Sequence, residues 1–168
     1  MILRQLFSKK PDQTQALYGA IVAAARQPKF YQAMAVPDTV DGRFDMVVLV
    51  LFLVLERLQG EASETRQNLT DYFFMDMDRS LREMGVGDLS VGKKVRRMAE
   101  AFHGRIQAYV VATQQGGAAL NSALQRNVYG GEASPESVLL LRWMKDARAI
   151  LANISTDNLL AAKLDLAA

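Results

Sequence analysis

The stretch RFDMVVLVLFLVLERLQG, residues 43–60, decides how the rest of the chain must fold. From Met46 to Leu55 every residue is apolar, and charge returns only at Glu56 and Arg57, just before Gly60. The spacing predicts a helix from about Arg43 to Gln59, stopped by Gly60. A helix that is apolar on every side belongs at the centre of a bundle, because no face of it is suited to water. The run from Met46 to Leu55 makes roughly 15 Å of helix at about 1.5 Å per residue, against a hydrocarbon core of about 30 Å. It is too short to span a bilayer.

Working outward, Pro11 and Asp12 read as a helix start, and Leu17, Ile21 and Ala24 recur at helical spacing behind them. The segment PKFYQAM is short. It leads into VPDTVDG, whose Pro37, Asp38, Asp41 and Gly42 are turn residues. After the central helix, Ser63 is a candidate cap for a helix striped by Leu69, Phe73, Met77, Leu81 and Met84, which Gly85 and Gly87 end. Asp88 or Ser90 caps the next helix, with Val91, Val95, Met98, Phe102, Ile106 and Tyr109 on one side as far as about Gln115. AALNSALQRNVY forms another helix. A further one opens with Ser134 as cap and Pro135 at the first helical position and continues through Trp143 to about Leu151. The tail STDNLLAAKLDLAA supplies a last short one. No segment alternates like a strand and no repeat recurs, so the expected fold is all-α: a single-domain irregular bundle of six or seven helices over residues 1–168.

The 168 residues carry 20 basic and 18 acidic side chains, a net charge of +2, which gives no global field to capture nucleic acid. There is no cysteine and only one histidine, His103. Disulfides, thiolate nucleophiles and multi-histidine metal sites are therefore excluded. The start MILRQLFSKKPDQ has no apolar run of signal length, so the protein is expected to stay in the cytoplasm.

Chemistry, if any, concentrates between Phe73 and Met98. Gly87 to Lys94, GDLSVGKK, nearly spells a phosphate loop, but Lys94 stands where a hydroxyl is needed and a helix precedes Gly87 instead of a strand. Asp76 and Asp78 suggest a cation site. Residues two apart on a helix point about 200° apart, however, so pairing of Asp78 with Arg82 and of Arg79 with Glu83 is preferred. Lys93, Lys94, Arg96 and Arg97 crowd the start of a helix, where the backbone dipole disfavours positive charge. Residues 79–105 hold seven basic side chains against three acidic ones. Either acids of the preceding helix meet this patch, or an external acidic partner or anionic lipid does. Met75, Met77, Met84 and Met98 flank the same region and offer an adaptable apolar surface or core filling. No nucleophile stands beside a base.

Four strings, YGAIVAAARQPKFY, VPDTVDGRFDMVVL, DMDRSLREMGVGDLSVGKKVRRMAEAFHGR and ALQRNVYG, together resemble the ubiquinol–cytochrome c chaperone family over about Leu17 to Gly130. The helices after Gly131 carry less of the likeness. Members of that family are assembly factors of the cytochrome bc1 complex and not enzymes. Its mitochondrial members act with a second assembly factor, bind newly made cytochrome b near the ribosome, and hold it until haem and other subunits arrive. The resemblance implies a bacterial member that meets cytochrome b at the cytoplasmic face of the inner membrane, peripheral to it, with no cofactor and no specific nucleic acid. Asp76, Asp78, Arg79, Glu83, Gly85, Gly87, Asp88, Gly92 and Lys93 match its longest motif and, with Lys94, Arg96 and Arg97, are expected to recognise a partner. Arg43 and Asp45 belong to a second matched motif and either join them or pin the central helix. The competing expectations are a peripheral module on anionic membrane and a helical enzyme binding phosphate or diphosphate.

Overall fold

A computed structural model of the chain describes residues 13–166. The expected helix start at Pro11 and Asp12 lies outside the described residues. Among those described there are six helices of twelve or more residues and two of a single turn, with no strand. They are α1 (Gln13–Ala25), α2 (Pro28–Gln32), α3 (Val40–Arg57), α4 (Ser63–Glu83), α5 (Asp88–Gln115), α6 (Gly117–Val128), α7 (Ser137–Asn153) and α8 (Thr156–Leu160). The all-α irregular bundle expected from the sequence is what the chain forms. No helix among the described residues is long and apolar enough to cross a membrane.

Helix α3 is the axis of the bundle. From Met46 to Leu55 no residue is more than 9% exposed. The helix is ringed by α1, α5, α6 and α7. Aromatic contacts extend the core on both sides: Phe44 meets Phe73 of α4 at 5.7 Å, Phe52 meets Tyr109 of α5 at 5.3 Å, and Phe73 meets Phe102 at 5.0 Å. The far end of α3 is bolted to α7. Glu56 accepts from Arg148 Nε and Nη2, each at 2.9 Å, and Arg57 donates to the Leu151 and Ile154 carbonyls at 3.0 and 2.8 Å. Arg57 thus caps the end of α7, adding to the Ile154 amide that already donates to the Leu151 carbonyl at 3.1 Å.

Several boundaries differ from the sequence reading, each for a local reason. Helix α3 begins at Val40, three residues early, because Thr39 caps it by accepting from the Gly42 amide at 3.1 Å. Asp41 and Gly42 are therefore helical and not part of the turn. A Cβ on Gly42 would collide with the Pro37 carbonyl, its carbon only 2.9 Å away, so the glycine lets the incoming chain pack on the first turn. Ser63 is the first residue of α4 and not its cap. Asp88 likewise opens α5 behind an N-cap Gly87 that makes no side-chain bond. Ser134 and Pro135 sit in a turn before α7, which starts at Ser137. Met84, placed on the buried stripe by periodicity, is 53% exposed, because α4 has left the body of the bundle by then.

One charge interrupts the apolar axis. Asp45 is buried and faces Arg105 of α5 at 2.7 Å, while the Arg105 guanidinium also lies 5.4 Å from the Phe44 ring. Burial pushes the Asp45 carboxyl up to about 7 although Arg105 pulls the other way. Of the two roles open to Asp45 in the sequence, its placement is that of a pin between α3 and α5.

Two outcomes follow for stability. Gly42→Ala is expected to lower the melting temperature, whereas Gly19→Ala, exposed in α1 with open space around its Cβ, should leave it unchanged or raise it by removing about 0.5–1 kcal/mol of helix-interior glycine penalty. Arg105→Met should cost about 3–5 kcal/mol by stranding Asp45, a drop on the order of ten degrees in a melt. Because the folded pKa of Asp45 is raised, the native state keeps a proton that the unfolded chain has released, so this group's contribution falls as pH rises towards 7. Losing Arg105 raises that pKa further, so the gap between wild type and variant should stay flat below about pH 6 and widen as pH rises through and above about 7 in thermal melts.

Candidate functional site

The α4–α5 hairpin is made by backbone hydrogen bonds that its sequence permits at one place. At the end of α4 the Gly85 amide donates to the Arg82 carbonyl at 2.9 Å and the Val86 amide to the Leu81 carbonyl at 3.0 Å. This is the paired closure of a helix on a left-handed residue, and Gly85 has φ +82°. Gly87, with φ −65°, needs no such freedom. Behind the turn, Leu69, Phe73, Met77 and Leu81 of α4 and Val91, Phe102 and Tyr109 of α5 are buried. From Arg82 to Ser90 every residue except Val86 is exposed, so the hairpin ends in a projecting tip.

The acids of this hairpin are used close to home. Asp76 accepts from the Tyr18 hydroxyl at 2.9 Å through one oxygen and from Arg79 at 2.8 Å through the other, tying α4 to α1. That contact and burial push the Tyr18 phenol well above its usual range, burial being the larger cause. Asp78 pairs with Arg82 at 2.7 Å as the spacing predicts, and Arg82 also holds Asp88 across the turn. Arg79 reaches Glu83 only at 3.9 Å, its closer partner being Asp76. Asp76 and Asp78 thus serve different neighbours, as expected for carboxylates two apart on a helix. No ion pair reaches Lys93, Lys94, Arg96 or Arg97 among the described residues, and all four are exposed. The alternative left open by the sequence is decided geometrically: the patch faces solvent. Gly92 is exposed beside it, and His103 is exposed against the Phe102 and Phe74 rings.

Next to the tip lies a groove that no contiguous string announces. The ends of α1 and α4, the start of α3 and the first turns of α5 enclose about 130 Å³. Val40, Phe44, Val47 and Leu81 supply aliphatic and aromatic walls, Met77, Met84 and Met98 the remainder, and Arg26, Arg43, Asp76 and Ser80 the polar edge. Arg43 is held there by Asp38 at 2.8 Å. Two residues further on, Asp45 points to the other side of α3, so the two members of one matched motif separate into groove and core. Three of the four methionines flagged in the sequence line this groove, while Met75 is 65% exposed outside it. Arg26, Val40 and Phe44 were not among the residues singled out. The end of α1 beside α4 brings Arg26 to the site, and the turn before α3 brings Val40 and Phe44.

With the geometry in hand, comparison with known proteins is specific. No curated protein matches the chain. The crystal structure of the Cbp3 homolog from Brucella abortus superposes with a TM-score of 0.79 at 37% identity, over 92% of this chain and 90% of that one. The family model described as ubiquinol-cytochrome C chaperone matches residues 32–166, taking in the hairpin, the groove residues of α3 to α5, and also α7 and α8. The chain belongs to the ubiquinol–cytochrome c chaperone family.

Proposed function

We propose that the protein is a non-catalytic assembly chaperone of the cytochrome bc1 complex that holds newly made cytochrome b at the cytoplasmic face of the inner membrane. Family membership and likeness to a Cbp3 homolog support the assembly role. The observation that carries client binding is the methionine-lined groove beside the hairpin tip. Three unbranched, polarisable thioether side chains around an aromatic wall adapt to varied apolar shapes, which a chaperone of an apolar client requires. Asp76, Asp78, Arg79, Arg82 and Gly85 act in this reading by shaping the hairpin, and Arg43 by bordering the groove. A second assembly factor or the ribosome would engage other surfaces of the same body.

The test is crosslinking of the tagged protein in its own cells followed by quantitative mass spectrometry. Wild type should enrich cytochrome b, and Met84→Glu, at an exposed position, should reduce that enrichment about tenfold, the equivalent of roughly 1.4 kcal/mol, with helix content unchanged. Recovery of other weak membrane partners without cytochrome b would overturn the reading.

A further inference from the structure

The basic patch does a different job from the groove. At about 100° per residue, Lys93, Lys94, Arg96 and Arg97 fall within an arc of about 160° on α5, opposite the face that buries Val91 and Phe102. Leu89, on the first turn, lies inside the same arc and is fully exposed; Met84, across the turn, is half exposed. Glu100 closes the arc one turn further on. A projecting tip thus shows an uncovered leucine on the same face as four cations without ion-pair partners, which stand about one to two turns further along α5.

We propose that this tip docks on an anionic bilayer, with the four cations among lipid head groups and Leu89 at the acyl boundary. The combination of cations with an inserted apolar side chain is what an interfacial element requires. Nucleic acid fits less well: the large apolar side chains exposed among the described residues include no aromatic on which a base could stack. The client itself is a poor partner for the patch. The cytoplasmic segments of membrane proteins carry an excess of Lys and Arg, which the arc repels. That last step rests on the function proposed above; the docking itself does not. Since Met84 belongs to both tip and groove, a docked hairpin holds the groove at the membrane surface.

The experiment is flotation of the purified full chain, without client, with vesicles of phosphatidylcholine alone or mixed equally with phosphatidylglycerol. The protein should float with the mixed vesicles only, and less as salt rises. Neutralising two cations in Lys93→Gln/Arg97→Gln should weaken partitioning roughly twenty-five-fold, at about fivefold per charge. Leu89→Ser should weaken it about tenfold, with melting temperatures unchanged. No flotation with either vesicle, or flotation indifferent to the paired neutralisation, overturns the proposal. Binding that needs the charges and ignores Leu89→Ser overturns the insertion and leaves simple adsorption. Failure here with cytochrome b still captured in cells would separate this proposal from the chaperone reading.

Discussion

A helix with no side suited to water has to be surrounded, and α3 imposes that requirement on everything else. Ten consecutive residues, Met46 to Leu55, leave no solvent face, so α1, α5, α6 and α7 must each spend their apolar stripe on it. The energetic return is large, since fully burying each aliphatic or aromatic side chain is worth about 1.5–3 kcal/mol. Specificity comes from the few polar groups placed along it. Asp45 with Arg105 sets α5 near one end, and Glu56 with Arg148 and Arg57 with the last carbonyls of α7 set α7 at the other. These contacts add directional constraints to an apolar helix whose register is otherwise set by the fit of its side chains, Phe44 and Phe52 among them.

The hairpin of α4 and α5 follows a different logic. Its base is core, with Phe73 and Phe102 in contact, and its tip is solvent, with Met84 and Leu89 uncovered. Charge is arranged accordingly. Asp76, Asp78 and Asp88 neutralise Arg79 and Arg82 around the turn, which leaves the lysines and arginines of α5 uncompensated on the outer face. The first turn of α5 holds the acid Asp88, and the four cations follow in its second and third turns. The cluster faces solvent, whereas the groove at its foot is apolar and adaptable. One projecting element therefore carries two surfaces of opposite chemistry, joined at Met84.

Much of this was legible in the chain. The unbroken apolar run of residues 46–55, the stripes of α4 and α5, and the glycines between them determine an all-α bundle with a central helix, because local periodicity and turn chemistry are properties of neighbours in sequence. The Asp78–Arg82 pair was readable for the same reason. Caps were less legible: Ser63, Asp88 and Ser134 each stand one or two residues from where a capping side chain would act, and Thr39 took the cap of α3 unannounced. What only the tertiary structure decided is which faces meet. Tyr18 on Asp76, Arg105 on Asp45, and Arg26, Val40 and Phe44 beside Met84 and Met98 are contacts between distant segments, set by how the helices pack around α3 and by no spacing along the chain. The direction in which Lys93 to Arg97 face belongs with them, since charge pairing across two helices depends on rotation about their axes, and burial of Val91 and Phe102 fixes that rotation.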